Sequence, residues 1–358
     1  MDARSPVEAT VTVAVTPFEV PLERPLSTAR GDIETRRGFV VRGRVGGTPG
    51  VGEATPLPGW TESYDDCRRA LGLVDGLGPA LSANALDDAP AARHAVSLAL
   101  FDARARAGDV SLARFLAGPD ERIADTVPVN ATVGDGGERE TAEAVDAAVA
   151  SGYDCVKLKV GVGGVDRDVE RVVAARGAAP DVTLRVDANG AWALDEAVRF
   201  VTDTANHDAD LAYVEQPLPA ENVAGHAALR EAVSVDVALD ETLADNAVDD
   251  VLAAGAADVL VLKPMALGGP GRTLAVAEQA REAGVDSVVT TTIDAVVART
   301  GALHVAAALG DPPACGLATG HLLGEDLAAD PAPVVDGAMT VPAGPGLAGE
   351  AFASLDVG

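Results

Sequence analysis

Ionisable side chains recur at regular intervals through the middle of the chain, each at the end of a short apolar run. Steps of 28, 28, 25 and 23 residues connect the five members of this series, which are Lys159, Asp187, Glu215, Asp240 and Lys263. Converging carboxylates repel one another unless a cation joins them, and ligation by oxygen alone suits Mg²⁺ or Mn²⁺. The series therefore predicts a divalent-metal site flanked by two lysines.

Lysine is rare in this chain, and its positions are informative. The 358 residues include three lysines, Lys157, Lys159 and Lys263, and all of them lie in apolar runs typical of strands. An ammonium group can lose its proton near neutral pH when it is desolvated or lies beside other cations, whereas a guanidinium group effectively cannot. The three lysines are therefore candidates for proton transfer, with Lys157 as the neighbour that tunes Lys159.

A repeating pattern of strand and helix after residue 126 must position these groups. Eight short apolar strands are predicted, each followed by an Ala-rich amphipathic helix: 127–133, 155–160, 182–187, 211–215, 237–240, 259–263, 287–291 and 314–318. Eight such units fit a closed parallel barrel, in which the C-terminal ends of the strands carry the site. Strands two and six are opposite in such a ring, so Lys159 and Lys263 are expected to face each other across it. The G-x-G-x-x-G fingerprint of dinucleotide-binding folds is missing after the first strand.

The residues before the barrel are typical of a separate α+β unit. Three strands, 9–15, 39–45 and 51–54, and two helices, 64–77 and 91–107, are predicted there. The second and third strands form a hairpin around the Gly46-Gly47 turn, and 21–37 is expected to be a capping loop. We therefore predict a capping domain over 1–125, a (β/α) barrel catalytic domain over 126–320, and a C-terminal segment, 321–358, that returns to the capping domain.

The chain is strongly acidic, with 27 Lys plus Arg against 55 Asp plus Glu and a formal charge of -28. Such a charge repels nucleic acid and anionic membranes, so neither is expected as a partner. Concentrated salt screens the self-repulsion, and the composition is therefore typical of a halophilic protein. Cys67, Cys155 and Cys315 show no C-x-x-C spacing and predict neither disulfides nor a zinc site. A cytoplasmic location is expected because the sequence shows no export signal, and an oligomer is possible.

The order of motifs along successive strands resembles the enolase superfamily, and specifically its muconate cycloisomerase-like subgroup. The motifs are K-x-K at 157–159, D-x-N at 187–189, E-Q-P at 215–217, D-E-T at 240–242 and K-P at 263–264. The resemblance covers nearly the whole chain and implies a small-molecule carboxylate substrate that loses its α-proton. The implied ligands of Mg²⁺ are Asp187, Glu215 and Asp240. The implied acid/base pair is Lys159 and Lys263, with Lys157 and Asn189 in support.

Other polar residues have simpler interpretations. Arg185 is predicted to lie deeper in the barrel and to pair with carboxylates in a structural role. Asn189 either caps the helix that follows it or supports the metal site. His94 and His304 fall in helical patterns typical of packing or surface positions, whereas His321 lies nearer the mouth of the barrel.

One segment of the capping domain bears on the choice of substrate. Residues 52–63, G-E-A-T-P-L-P-G-W-T-E-S, resemble the capping loop of o-succinylbenzoate synthases. The resemblance implies dehydration of 2-succinyl-6-hydroxy-2,4-cyclohexadiene-1-carboxylate to o-succinylbenzoate, a step of menaquinone biosynthesis. The residues predicted to bind the substrate are Pro58, Gly59, Trp60, Thr291, Thr292, Leu317 and Thr319. An ordinary Pro-Gly turn is the alternative interpretation of this segment.

Other activities stay open at this point. N-succinylamino acid racemases and muconate cycloisomerases of the same subgroup use the same lysines and metal. A dipeptide epimerase is disfavoured because 315–320 reads C-G-L-A-T-G, without the Asp-x-Asp that typically binds the substrate ammonium group. From another class, Lys263 could form the Schiff base of a class I aldolase. A binding protein built on an inactive barrel would not need all five polar groups at one level.

Overall fold

The computed structural model describes residues 13–28, 31–82 and 84–355. The capping domain begins with an antiparallel sheet in the order β1 (Ala14–Thr28), β2 (Gly31–Val45) and β3 (Thr48–Ala54). β1 and β2 form a long hairpin whose register shifts between Pro21 and Leu26. Much of the predicted strand 9–15 lies outside the described residues.

The predicted capping loop at 21–37 is wrong, because most of its residues belong to this hairpin. Pro21 pairs with Thr35, and Val20 pairs with Arg36. The prolines of β1 are tolerated since β1 is an edge strand, where a missing N–H breaks no central ladder. The hairpin also contacts the C-terminal segment, where Gly324 N donates to Pro21 O at 2.8 Å.

Four helices accompany this sheet: α1 (Tyr64–Leu71), α2 (Leu77–Ser82), α3 (Pro90–Ala107) and α4 (Leu112–Ala117). α1 begins where the Ser63 hydroxyl accepts a hydrogen bond from Asp66 N and ends before Gly72, so the predicted helix 64–77 is interrupted. α3 lies directly against β3, because a Cβ atom on Gly52 would be 2.0 Å from Ala95 O. Such a close backbone approach requires glycine.

The second domain is a parallel sheet in which helices follow the strands. Seven strands are hydrogen-bonded in chain order: β5 (Ala131–Val133), β6 (Cys155–Lys159), β7 (Thr183–Asp187), β8 (Tyr213–Glu215), β9 (Asp236–Leu239), β10 (Val259–Leu262) and β11 (Asp286–Val289). The helices are α5 (Glu138–Ala150), α6 (Val165–Ala178), α7 (Leu194–Asn206), α8 (Val223–Ala232), α9 (Thr242–Asp245), α10 (Val248–Ala253), α11 (Pro264–Leu267), α12 (Pro270–Glu282) and α13 (Val296–Ala308). Strands covered on both faces are expected to be continuously apolar. Among the described residues, no helix is long and apolar enough to cross a bilayer.

The barrel closes through a segment that is not a regular strand. Cys315 N donates to Pro128 O at 2.8 Å, and Gly316 N donates to Val289 O at 2.9 Å. These contacts join the two ends of the seven-stranded sheet as isolated parallel bridges. The predicted eighth strand, 314–318, therefore lies in the expected place but is reduced to two bridges. The predicted (β/α) barrel with an α+β capping domain is confirmed.

The N-terminal end of the barrel carries a small antiparallel sheet in the order β12 (Val334–Val335), β13 (Ala338–Thr340) and β4 (Thr126–Pro128). The predicted first barrel strand, 127–133, is therefore divided between this sheet and β5. The chain then reaches the capping domain, where Leu347 N donates to the Asp102 carboxylate of α3 at 2.8 Å. The C-terminal segment thus pairs with β4 through β13, and the residues after β13 contact α3 of the capping domain.

Candidate active site

Strand register brings the first three polar residues of the series to one level. Lys159 of β6 pairs with Asp187 of β7, and Asp187 pairs with Glu215 of β8. Asp240 and Lys263 follow directly after the last residues of β9 and β10. Because parallel strands end together at one mouth of a barrel, the five positions lie at that mouth.

Lys157 lies deeper on the same strand as Lys159 and joins two of the carboxylates. Its Nζ donates to Asp187 Oδ2 at 3.1 Å and to Glu215 Oε1 at 3.0 Å. Burial by itself would lower the pKa of Lys157, but the two carboxylates outweigh it and hold the pKa well above the usual lysine value. Burial tends to raise the pKa of Asp187, yet the ammonium groups of both lysines bring it below its usual range. Lys157 is therefore a fixed cation and not a proton acceptor.

Lys159 is the more accessible of the two lysines on β6. Its side chain is 37% exposed, against 14% for its neighbour. Lys159 Nζ donates to Asp187 Oδ2 at 2.6 Å and to Asn189 Oδ1 at 2.8 Å. Asn189 Nδ2 in turn donates to Glu241 Oε1 at 2.8 Å. Asn189 therefore orients Lys159 and does not cap the next helix, which begins at Leu194.

Lys263 lies between a carboxylate and an aromatic ring. Its Nζ donates to Asp240 Oδ2 at 2.5 Å and lies 3.2 Å from the centroid of the Trp60 ring. The ring belongs to the capping domain, and the Lys263 side chain is 10% exposed. A cation over an aromatic face is attracted by the ring quadrupole. This contact therefore links the two domains at the site.

The Asp240 carboxylate is incompletely satisfied. Asp240 is 5% exposed, and among the described residues its Oδ1 has no hydrogen-bond partner. Burial raises the pKa of Asp240 to about 8, although the Lys263 ammonium acts in the opposite direction. An additional cation beside this oxygen would stabilise the charged form of Asp240.

The three carboxylates offer oxygen donors to a divalent metal. In the described part of the chain, no group of three or more His, Cys, Asp or Glu side chains is gathered as a ready metal-binding cluster. Lysine ammonium groups instead occupy oxygens of all three carboxylates. Oxygen donors, deep burial and the unpartnered Asp240 oxygen match the preference of Mg²⁺. The residues therefore fit the ion by donor type, with lysines balancing the negative charge in this structure.

The part of the mouth after β11 carries threonine hydroxyl groups and the buried acid Asp294. Thr291 Oγ1 and Thr319 Oγ1 are 3.1 Å apart, and Thr292 Oγ1 donates to Asp294 Oδ1 at 2.5 Å. Leu317 is fully buried in an apolar cluster and presents no surface in this conformation. The structure therefore brings the Thr291 and Thr319 hydroxyl groups together, whereas the Thr292 hydroxyl bonds Asp294 and the Leu317 side chain packs in the apolar cluster.

A tight turn directs Trp60 of the capping domain. Pro58 and Gly59 form its exposed tip, and Gly59 has a φ of 103°, which favours glycine. Trp60 N donates to Leu57 O at 2.9 Å, while the Thr61 hydroxyl accepts from Leu57 N at 2.8 Å. These hydrogen bonds fix the backbone that carries the ring.

Three buried residues that were not predicted as site residues also shape the mouth: Arg36, Glu53 and Gln216. Gln216 has a φ of 40°, and its Oε1 accepts hydrogen bonds from Asp240 N and Thr242 N, both at 3.1 Å. Its side chain thereby fixes the backbone at Asp240 from the neighbouring strand. The E-Q-P motif was the available signal for this residue.

Glu53 joins the capping domain to the barrel. It is fully buried, and its carboxylate accepts hydrogen bonds from Ala295 N at 2.8 Å and Ala298 N at 2.9 Å, where α13 begins. Burial, with a further contribution from Asp294, raises the pKa of Glu53 to about 7. The 52–63 motif contains Glu53, but its partners at the start of α13 are distant in sequence, and Ala295 lies 242 positions after it.

Arg185 lies inside the barrel, but its predicted pairing with carboxylates is wrong. Its guanidinium carbon lies 4.7 Å from the centroid of the Tyr213 ring, and Nη1 donates to Ala314 O at 2.5 Å. A ring face and a carbonyl therefore take the place of the expected acids.

The histidines lie outside the cluster of lysines and carboxylates. His94 and His304 are buried packing residues. His304 Nδ1 accepts from Ala113 N at 3.1 Å, and burial lowers the pKa of His304 to about 4. His321 is exposed on a short 3-10 turn after the closing segment of the barrel.

Comparisons with known proteins agree with this architecture. Residues 140–351 match the family model described as Enolase C-terminal domain-like. The o-succinylbenzoate synthase of Thermobifida fusca (strain YX) is 41% identical over 226 residues, which are 61% of this chain and 68% of that protein. The chloromuconate cycloisomerase of Pseudomonas sp. (strain P51) is 28% identical over 357 residues and 94% of each chain.

A solved structure extends the similarity to both domains. The dipeptide epimerase from Methylococcus capsulatus, complexed with Mg and the dipeptide L-Arg-D-Lys, superposes with a TM-score of 0.83 at 28% identity. The superposition covers 95% of this chain and 99% of that chain. The chain therefore belongs to the enolase superfamily, among its muconate cycloisomerase-like enzymes.

Proposed function

We propose that the protein is a Mg²⁺-dependent o-succinylbenzoate synthase, a carbon-oxygen lyase that dehydrates 2-succinyl-6-hydroxy-2,4-cyclohexadiene-1-carboxylate in menaquinone biosynthesis. The lysines and carboxylates do not distinguish the reactions of the subgroup. The proposal rests on the position of Trp60, whose ring centroid lies 3.2 Å from Lys263 Nζ. Trp60 lies in the loop that resembles those of o-succinylbenzoate synthases, and one such synthase is 41% identical to this chain over 226 residues.

The lysines take separate roles in the proposed reaction. Lys159, in its amine form, removes the proton α to the substrate carboxylate and then gives it to the departing hydroxyl group on the same face. One C–H bond and one C–O bond break, a C=C bond forms, and water leaves. The Lys263 ammonium stabilises the developing negative charge, while Lys157 stays bound to its carboxylates. The aromaticity of the product favours the elimination.

Asp187, Glu215 and Asp240 are the residues that would hold Mg²⁺, and Mn²⁺ has the same preference for oxygen donors. The bound ion would supply positive charge that stabilises the anion formed when the α-proton leaves. A relative of this chain has been solved with Mg bound. Asn189 would keep Lys159 oriented beside the carboxylates through its hydrogen bond to Glu241.

Substrate binding is proposed for the residues on the neutral side of the mouth and on the turn above it. These are Pro58, Gly59, Trp60, Thr291, Thr292 and Thr319. Leu317 would contact the substrate only after a movement that exposes its side chain. The ligand class that fits a lysine and metal site of this kind is a small-molecule carboxylate.

A cycloisomerase is the second candidate, because similarity to a chloromuconate cycloisomerase covers 94% of the chain. An N-succinylamino acid racemase would use the same lysines. The aldolase interpretation has less support, since the Asp240 carboxylate and the Trp60 ring both stabilise a charged Lys263. Imine formation requires a neutral amine at that position.

A parallel substrate assay tests the proposal. The full chain, in Mg²⁺ and concentrated KCl, would be offered the cyclohexadiene carboxylate, N-succinyl amino acids and muconate. We expect the first to give the highest kcat/KM, and a mixture without enzyme reports the uncatalysed elimination. Turnover of only N-succinyl amino acids or only muconate would overturn the assignment.

We also propose that the enzyme works in the concentrated salt of a halophile's cytoplasm. The formal charge of -28 produces self-repulsion that salt screens. The free energy of unfolding should therefore rise between roughly 0.1 M and 1 M KCl, over which the Debye length falls from about 10 Å to about 3 Å. A stability that falls over this range would contradict the proposal.

A further inference from the structure

A buried arginine binds loops of both domains next to the candidate site. Arg36 of β2 is 3% exposed. On the capping side, Nη2 donates to Thr55 O at 2.8 Å and Nη1 to Pro56 O at 3.4 Å. On the barrel side, Nε donates to Ile293 O at 3.1 Å. One guanidinium fork thus holds two loops that are far apart in sequence.

The barrel loop held by Arg36 has a strained conformation. Ile293 has a φ of 60°, a region that is unfavourable for a β-branched residue. Ile293 N donates to Thr291 Oγ1 at 3.2 Å, and that hydroxyl is 3.1 Å from Thr319 Oγ1. Arg36 therefore holds Ile293, and Ile293 in turn holds the Thr291 hydroxyl of the pair at the mouth.

The loop of the capping domain that Arg36 holds, at Thr55 and Pro56, leads directly to Trp60. Its first residues are anchored again by Glu53, whose carboxylate accepts from the Thr55 hydroxyl and from the first turn of α13. Burial lowers the pKa of Arg36, and the negative charges of Asp294 and Glu53 act in the opposite direction. Two buried acids, one from each domain, thus interact electrostatically with the guanidinium.

We propose that Arg36 is a positioning residue for substrate selection, which locks residues 55–60 of the capping domain and 291–293 of the barrel into one unit. Trp60 and Thr291 then keep a fixed separation across the substrate. The inference rests on the proposed function for the identity of that substrate, but the coupling of the loops does not depend on it. A lysine in place of Arg36 has a single donor centre and cannot hold both loops with a planar fork.

The test uses Trp60 as a local probe. The chain has two tryptophans, so a Trp192→Phe background leaves Trp60 as the sole one. In this background, Arg36→Lys is compared with Arg37→Lys, a matched control on the opposite face of the same strand, where Arg37 is 52% exposed and pairs with Glu19 at 2.7 Å. Acrylamide quenching is measured without substrate, and KM and kcat are measured with the cyclohexadiene carboxylate.

We expect Arg36→Lys to raise the quenching constant of Trp60 roughly two-fold, because the loop opens locally. We also expect KM to rise roughly ten-fold while kcat stays within about three-fold, since Arg36 does not touch the reacting groups. Arg37→Lys should leave all three quantities unchanged. Unchanged quenching in Arg36→Lys, equal effects in the two variants, or a loss confined to kcat would overturn the inference.

The two proposals fail in different ways. If Arg36→Lys raises quenching but no protein turns over the cyclohexadiene carboxylate, the loop coupling stands and the proposed function falls. Arg36→Gln, which can still donate to one loop, is the second variant. If both Arg36 variants fail to fold while Arg37→Lys folds, Arg36 is a folding residue and the positioning role is overturned.

Discussion

The two arcs of the barrel mouth are built differently. The arc from β6 to β10 carries charged residues on strands in regular parallel register. The arc from β11 through 315–316 carries threonines on irregular backbone, with isolated bridges and a positive φ at Ile293. Ladder hydrogen bonds hold the charged arc, whereas contacts from the capping domain hold the neutral arc.

This difference indicates that proton transfer and substrate selection are separable in the molecule. Reacting groups need precise positions, which packed strands supply better than loops. Loops at the mouth can change without altering the strands, which is why barrels support many reactions. Changes in the charged arc should therefore act on kcat, and changes in the neutral arc and the capping domain should act on KM.

Metal removal should have the largest effect. It acts on the charged arc alone and takes away the positive charge that would stabilise the anion. Chelation is expected to reduce turnover to the uncatalysed level, and Mg²⁺ or Mn²⁺ should restore it. A ligand that binds only the folded state adds about 2.7 kcal/mol at 100 times its Kd, so Mg²⁺ should also raise the Tm. Asp240→Asn should lose both responses, and the exposed control Asp249→Asn should keep them. An enzyme indifferent to chelation would refute the metal site.

Replacing Lys159 or Lys263 should have the next largest effect. Lys159→Arg keeps the charge but removes the amine that exchanges a proton, so kcat should fall by about 10²–10⁴. Lys263→Arg keeps a charge but displaces it from the point where the ammonium stabilises the developing anion, so kcat should fall by about 10²–10³. KM and Tm should change little. Steady-state kinetics and thermal unfolding measure these quantities, with Arg281→Lys on the exposed face of α12 as the control. Full turnover by Lys159→Arg would exclude it as the base.

Replacing Trp60 of the capping domain should have a smaller effect. A cation–π contact of about 0.5–2 kcal/mol corresponds to roughly 2- to 30-fold in binding. Trp60→Leu should raise KM within that range and leave kcat nearly unchanged, and Trp60→Phe, which keeps a ring, should have a smaller effect. Trp192→Phe is the control for loss of an indole. An effect on kcat alone would mean that the two arcs are not separable.

The smallest expected effect concerns the pH dependence of the contact between Glu53 and α13. The folded-state pKa of Glu53 is raised to about 7, so its contribution to stability is present below the unfolded value near 4.3 and is lost as the pH rises towards 7. Urea unfolding should show wild type losing on the order of 1–3 kcal/mol relative to Glu53→Gln over this range.

His304 has the opposite dependence, because its folded pKa of about 4 makes its contribution vanish as the pH falls from about 6.5. This term is common to wild type and Glu53→Gln and cancels in their difference. Exposed Glu19→Gln is the control. Parallel pH profiles for wild type and Glu53→Gln would show that Glu53 has an ordinary pKa in the fold.

The charged arc could be predicted from sequence because its signals are local. Each polar residue ends a short apolar run, and the spacing of the runs follows from one strand and one helix per unit. Prediction was less successful where distant segments decide the structure. The expected loop at 21–37 became a hairpin because β1 can tolerate proline at an edge, and 314–318 became two bridges because β11 and the residues before β5 determine its hydrogen bonds.

The sequence by itself determined the barrel, its capping domain and the strand-end positions of Lys159, Lys263 and the three carboxylates. Only the tertiary structure decided which partners these side chains take, the placement of Trp60 over Lys263, and the hold of Arg36 and Glu53 on the barrel loops. The reason is physical. Periodicity and spacing are encoded within each unit, whereas hydrogen bonds and ring contacts between residues some 200 positions apart depend on how the two domains pack.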